Sequence, residues 1–316
     1  MKAIQVHTFG GPEVLTYQDV PRPTAGVGEV LIRVQAAGVN PAEWKAVSGL
    51  TRRVREVPLP FIPGWDVSGI IEEVGPDVTA FQQGDAVYGL LRFPSPSAGT
   101  YAEYTTGPVA DLALKPTSID HIQAAAVPMA ALTAWQGLFV HGRMEAGQTV
   151  LITGAAGGVG HFAVQLAKSK GARVIGVASG RHAAFLHELG VDQFIDYTST
   201  SPEGAVHDVD LVVDTAGGMN GDPLLSVLKP GGTLIPISAN QFSPERVAQA
   251  GVSIVTTIGP VMQVRSSGAQ LVEIGKLIDA GQVRVAIDTV VPLAEAARAH
   301  ERSAAGHVRG KIVLAI

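Results

Sequence analysis

The chain has 316 residues, 46% of them hydrophobic and 16% charged, which supports a large buried core and excludes a disordered or fibrous protein. A formal net charge of −5, from 23 basic and 28 acidic residues with no basic block, argues against nucleic acid as a partner. The chain holds no cysteine, which excludes disulfides, thiol catalysis and cysteine-ligated zinc, and no apolar run reaches membrane-spanning length.

In chain order, residues 3–6 and 15–18 read as a hairpin around Gly10, Gly11 and Pro12. Residues 29–36 alternate well enough for a strand in a partly buried sheet. A Pro/Gly segment at 59–64 leads into a strand at 67–74, and residues 81–88 turn into another. Strands without long helices between them predict a β-rich, barrel-like unit over residues 1 to about 120. The character then changes. Residues 122–127 and 131–138 have helical composition, and from 149 strands and helices alternate. Strands are expected at 149–153, 173–178, 193–197, 209–214, 232–237 and 253–257, with a helix at 182–189 closed by Gly190. Repeated βα units imply a parallel, doubly wound sheet with its ligand at the carboxyl ends of the strands. Helices at 270–281 and 293–303 and a last strand at 310–316 read as the chain returning to its first unit. The N-terminal stretch is too interrupted for a signal peptide, so the expected location is the cytoplasm.

The stretch that organises this reading is 149–168. An apolar, β-branched strand runs into Gly154, Ala155, Gly157, Gly158, Val159 and Gly160, and a helix-spaced apolar set follows at Phe162, Val164, Leu166 and Ala167. Glycines in that position let backbone N–H groups approach a pyrophosphate at a helix N-terminus. A glycine-rich turn alone is also compatible with a mere tight connection; strand before and helix after make the cofactor reading the stronger one. NAD-preferring units carry an acid about 20 positions further on. Here the second strand ends in Ala178-Ser179-Gly180-Arg181 without one. Ser179 and Arg181 suit a 2′-phosphate, which points to NADPH; they equally suit a helix cap followed by a solvated arginine.

With both halves laid out, the whole chain resembles the medium-chain dehydrogenase/reductase superfamily, in its zinc-independent quinone oxidoreductase and enone reductase branch. The resemblance is carried by Phe9-Gly-Gly-Pro-Glu-Val-Leu15, Ala37-Gly-Val-Asn-Pro41, Pro63-Gly64 with Gly69, Gly99-Thr-Tyr-Ala-Glu-Tyr104, Ala155-Ala-Gly-Gly-Val-Gly160 and His307-Val-Arg-Gly-Lys-Ile-Val-Leu314. It implies an α/β protein: a GroES-like β-rich catalytic domain plus a Rossmann doubly wound parallel-sheet domain, with the active site between them. The expected boundaries are 1–122 for the first part of the catalytic domain, 123–260 for the NADPH-binding Rossmann domain and 261–316 for the return segment. Zinc-dependent relatives place a cysteine and a Gly-His-Glu motif where this chain has Asn40 and Gly64-Trp65-Asp66. None of the nine histidines forms a close paired motif, so no metal is expected.

The resemblance further implies cofactor contacts from Asn40, Thr133, Val159, Tyr197, Thr215, Ile237, Ser238 and Lys311, besides the glycine turn. It places Asn40 and Lys45 at the catalytic centre, with Lys45 directed towards substrate or nicotinamide ribose. The family more often has Asp where this chain has Glu43. Plainer readings stand beside these: Lys45 as an exposed lysine on a short helix, Asn40 as that helix's cap before Pro41, and Tyr197 as a half-buried strand-end residue. Trp65, Phe93 and Tyr101 are assigned to an apolar pocket for a flat, conjugated substrate, or to plain core. The function implied is NADPH-dependent reduction of a quinone or an α,β-unsaturated carbonyl compound. An enoyl-thioester reductase and an NADPH-binding protein with little turnover are the alternatives. A homodimer through the edge of the Rossmann sheet, at 253–257, is expected; neither nucleic acid nor membrane is.

Overall fold

The computed structural model describes residues 1–53, 58–95 and 98–316. The chain divides into two units, one of residues 1–132, 265–281 and 285–316, the other of 133–264 and 282–284. In the first unit β1 (Lys2–Val6) and β2 (Leu15–Asp19) form the expected antiparallel hairpin. β3 (Glu29–Val39) leads into α1 (Pro41–Val47), followed by β4 (Asp66–Val74), β5 (Ala86–Leu90), β6 (Tyr104–Pro108) and β7 (Leu112–Leu114). α2 (His121–Ala125) and α3 (Pro128–Trp135) then carry the chain across to the second unit.

There the βα array begins with β8 (Thr149–Thr153), α4 (Gly160–Ser169), β9 (Arg173–Ala178), α5 (Ala183–Glu188), β10 (Gln193–Asp196) and α6 (Pro202–Ala205). It continues with β11 (Val209–Asp214), β12 (Leu228–Pro236), α7 (Pro244–Ala250) and the two-residue β13 (Ser253–Ile254). The chain ends in the first unit with α8 (Gly268–Asp279), β14 (Ile287–Pro292), α9 (Ala296–Ala304) and β15 (Lys311–Ala315).

The large sheet of the first unit runs β14-β15-β3-β4-β5-β7, with β6 also paired to β3. Only β14 and β15 are parallel; the other pairings run antiparallel. Long β3 is the hub because it bonds to β15, β4 and β6 along its length. Arg33 points to solvent between buried Ile32 and Val34, while Leu31, Ala37 and Val39 on its face are buried, so β3 is covered on one face throughout and on the other towards its ends. Val30, Ile32 and Val34 pack with Val67, Ile71 and Val87 from β4 and β5.

All pairings in the sheet of the second unit are parallel, in the order β10-β9-β8-β11-β12-β13. Numbered within that unit, the order is 3-2-1-4-5-6, with the reversal between β8 and β11, where a doubly wound sheet opens a crevice at its carboxyl edge. Leu151, Ile175, Val177, Val212 and Leu234 form part of its core. Being covered on both faces, these strands read as near-continuous apolar runs, which is why their limits are visible in the sequence.

The turn between β8 and α4 is too close for a side chain at Gly160. A Cβ on Gly160 would collide with the carbonyl oxygen of Gly154 and lie 2.7 Å from the Ala155 Cα, both backbone atoms that cannot step aside. A Cβ on Gly157 would meet only the Gly154 oxygen, at 3.2 Å. Gly160→Ala should therefore cost about 1–3 kcal/mol of stability by overpacking, and Gly157→Ala distinctly less. Urea unfolding of the two variants checks this; equal losses would contradict it.

Candidate functional site

In the second unit the candidate site is the carboxyl end of β8 and β11. Gly154 adopts φ +58°, which turns the chain sharply off the strand, and the Gly157 N–H returns to the Gly154 carbonyl at 2.9 Å. No side chain caps α4, whose His161 N–H bonds back to the Gly157 carbonyl at 3.1 Å, so the glycine turn and the helix start form one continuous backbone arc of the kind that receives phosphate. Beside the turn, Asp214 at the end of β11 is a buried knot. It accepts from the Thr153 hydroxyl at 2.5 Å, the Asn240 amide at 3.0 Å and the Gly217 N–H at 3.2 Å. The Thr215 hydroxyl donates to the Thr153 carbonyl at 2.7 Å, and the Ser238 hydroxyl to the Thr215 carbonyl at 2.9 Å. The hydroxyls of Thr215 and Ser238 are thus both spent on backbone carbonyls at the strand ends. Asp214 was not singled out in the sequence; its signal is a carboxylate closing an otherwise apolar strand.

At the end of β9, Ser179 is partly buried and Arg181 is exposed, its Nε donating to the neighbouring His182 Nε2 at 3.1 Å. An acid does stand near them, though not on their strand. Asp196 pairs in register with Ala178 and accepts from the Thr198 hydroxyl at 2.7 Å. Thr198, together with the Gly180 N–H, holds that carboxyl below its ordinary range. Tyr197 follows it and is exposed, Ile237 is partly buried past β12, and Thr133 is buried on α3.

In the first unit, residues expected for different tasks come together in one buried cluster. Asn40 stands at the start of α1, with Pro41 as the first helical residue. Its amide nitrogen donates to Asp66 at 2.9 Å and to Glu43 at 3.3 Å, while its oxygen accepts from the Lys311 ammonium. Lys311 also donates to the Val39 carbonyl at 2.9 Å and lies 3.7 Å from Asp66. The second oxygen of Asp66 accepts the Met129 N–H at 2.7 Å. Glu43 reaches back to the Asn40 N–H at 2.7 Å, so its extra methylene relative to Asp closes the capping box. Gly38 makes the room: a Cβ there would lie 2.7 Å from the Asp66 carboxylate.

Glu43 and Asp66 are fully enclosed and Lys311 is 3% exposed. Burial, and then repulsion from Asp66, pushes the Glu43 carboxyl up to about 8. Burial pushes Asp66 up and Lys311 down, each opposed by the attraction between them. Both carboxyls accept two N–H groups, but the Lys311 ammonium faces Asp66, so Asp66 carries the charge and Glu43 holds a proton at neutral pH. The cluster is then neutral as a whole.

The other expected residues of this unit lie outside the cluster. Lys45 is exposed on α1, its ammonium 5.4 Å from the centre of the Trp44 ring. Trp65 and Phe93 meet edge to face at 5.4 Å, with the Trp65 indole N–H donated to the Ser95 carbonyl. Tyr101 is enclosed in an apolar cluster with Val39, Ile312 and Leu314, its hydroxyl 3.3 Å from His300 Nε2. Among the described residues no group of three His, Cys, Asp or Glu side chains is arranged to hold a metal.

Comparison with known proteins agrees with this architecture. Residues 26–117 match the family "Alcohol dehydrogenase GroES-like domain" and residues 189–314 match "Zinc-binding dehydrogenase". The quinone oxidoreductase of Rattus norvegicus is 35% identical over 318 residues, covering 95% of this chain and 93% of that protein. The chain belongs to the medium-chain dehydrogenase/reductase superfamily, in its quinone oxidoreductase branch. Within this superfamily it is also similar to the chloroplastic NADPH-dependent alkenal/one oxidoreductase of Arabidopsis thaliana, 33% identical over 324 residues, covering 99% of this chain and 79% of that one. Among solved structures, mycobacterial Rv1454c complexed with NADPH superposes with a TM-score of 0.87 at 32% identity, covering 100% of both chains. No helix among the described residues is long and apolar enough to cross a membrane.

The protonated Glu43 has a consequence for stability. In the unfolded chain this carboxyl titrates near 4.5, in the folded chain near 8. Below the lower value both states are protonated and nothing is lost. Between about pH 4.5 and 8 the unfolded state alone ionises, so this group's contribution falls as pH rises and levels off above. The melting temperature of the native protein, taken relative to Glu43→Gln, should decline across that window. A difference that is constant with pH would contradict the assignment.

Proposed function

We propose that this superfamily member is an NADPH-dependent reductase that transfers hydride, without zinc, to a quinone or an α,β-unsaturated carbonyl compound. The glycine turn 154–160 at the switch point of the 3-2-1-4-5-6 sheet carries the nucleotide half of this reading. The glycine backbone and the start of α4 suit a pyrophosphate, and Gly160 lets that helix start pack directly on the Gly154 carbonyl. Ala155, Gly157, Gly158, Val159 and Gly160 form the cradle, with Thr133, Thr215, Ile237 and Ser238 beside it and Tyr197 towards the adenosine end. The exposed Arg181 guanidinium and Ser179 suit a 2′-phosphate, and the neighbouring Asp196 has its oxygens engaged by Thr198 and Gly180. Bound NADPH supplies the hydride.

In the first unit, Lys45 is the cation free to reach an acceptor oxygen as negative charge develops there, and to hold the proton that follows. Asn40 has both amide hydrogens engaged, so we assign it to holding the start of α1 rather than to the reacting oxygen. Trp65 and Phe93 offer an apolar wall for a flat acceptor. Tyr101 and Lys311, both enclosed, stay out of ligand contact in this reading. Two features support zinc-free chemistry: the chain has no cysteine, and the oxygens of Asn40 and Asp66 already surround an ammonium that a dication would have to displace. The quinone and alkenal/one names of the relatives support the acceptor class. Short β13, paired on one side with β12, supports a homodimer built through that sheet edge.

Loss of reduced-nicotinamide absorbance, followed with NADPH and NADH against quinones, enones and enoyl thioesters, tests the proposal. Turnover of quinones or enones with NADPH preferred is expected, and Arg181→Ala should raise KM for NADPH by roughly tenfold or more by losing a charge-assisted contact, with little change for NADH. Tight NADPH binding without turnover of any acceptor would overturn the enzyme reading, and turnover of enoyl thioesters alone would redirect it to that class.

A further inference from the structure

The buried cluster of the first unit joins five elements at one point. Lys311 reaches it from β15, Val39 and Asn40 from the end of β3, Glu43 from α1, Asp66 from β4, and the Met129 N–H from α3. An amide bonded at both ends has a single orientation, because flipping Asn40 would set its NH2 against the ammonium and its oxygen against a carboxylate. An ammonium held by the oxygens of Val39 and Asn40 beside the Asp66 carboxylate is a tethered cation in an oxygen cage. What the cage fixes is the start of α1. That helix has seven residues, too few for its direction to be set by its own hydrogen bonds, so it is aimed by what holds its ends. Its N-terminal end is held by Pro41, by the Glu43 bond to the Asn40 N–H, and by the carboxamide of Asn40. Its exposed cation is Lys45.

We propose that Lys311 and Asp66 are positioning residues for the reduction, acting through Asn40 and the start of α1 to place the Lys45 ammonium. The inference rests on the reading that Lys45 assists the reaction. It assigns Lys311 a task distinct from cofactor contact, since its ammonium is spent inside the first unit. The interaction is directional: Lys311 and Asp66 touch nothing that reacts, yet they fix the element that does.

A kinetic double-mutant cycle between Lys311→Met and Lys45→Ala tests it, with NADPH affinity measured separately by nucleotide fluorescence. Lys311→Met should lower kcat by about 10–100-fold, the range expected for misplacing a catalytic group by an ångström or less, with KM and Kd for NADPH unchanged. In the Lys45→Ala background the same substitution should cost nothing further, because both act through one group. Asp66→Asn enters the same cycle and meets the same criteria if Lys311→Met does not fold. Losses that multiply independently would reduce the cluster to a structural role and overturn the inference. A raised KM and Kd for NADPH at unchanged kcat would make Lys311 a cofactor ligand and overturn it too. Full activity of Lys45→Ala alone would remove the role of Lys45 on which the inference rests, a failure visible in the single variant before the cycle is closed.

Discussion

The first unit depends on one buried charge. An ammonium withdrawn from water costs several kcal/mol unless oxygen atoms replace its hydration. Lys311 has a carbonyl, a carboxamide oxygen and a facing carboxylate. The arrangement demands a small residue at Gly38 to admit Asp66 and a neutral carboxyl at Glu43 to avoid a second buried negative charge. Each partner is satisfied by a different stretch of chain, so strands β3, β4 and β15 and helices α1 and α3 are fixed together.

The second unit solves its problem differently. Its site is built from backbone: a positive-φ glycine, a turn without room for a side chain at Gly160 and a helix start with no side-chain cap. Polar side chains around it bond inward, as Thr153, Thr215 and Asn240 do about Asp214, and so shape the crevice without occupying it. Shape and N–H donors suit a ligand that carries its own charge, such as a pyrophosphate. The first unit, in the function proposed for it, offers the reverse, an exposed cation, Lys45, on the short α1.

Much of the fold is legible in the sequence where burial on both faces writes continuous apolar runs. Strands at 149–153, 173–178 and 209–214 have the limits expected. The antiparallel unit is less legible. β6, β7 and β14 leave no clear pattern in the sequence, being short or poorly alternating and defined by partners elsewhere in the chain. The strand expected to run to 257 stops at Ile254 because, among the described residues, it is paired along one side by β12 over just two residues. In the candidate sites, the glycine turn was visible because conformation and spacing are local properties. The cluster was not, since Asn40, Asp66 and Lys311 meet only through the register of β15 on β3 and of β3 on β4. Asn40 before Pro41 reads locally as a helix cap, whereas two carboxyls and an ammonium around its side chain are brought there by the sheet.

The central claim, that Lys311 and Asp66 neutralise one another inside the first unit, is tested most directly by the stability cycle of Lys311→Met, Asp66→Asn and their combination. Each single variant should lose about 3–5 kcal/mol by leaving a buried charge or its cage unpaired. The double variant, in which the remaining Glu43 is protonated, should lose well under the sum and refold with two-state behaviour. Additive losses in chemical denaturation would contradict the account, because they would mean that the ammonium and the carboxylate do not depend on each other.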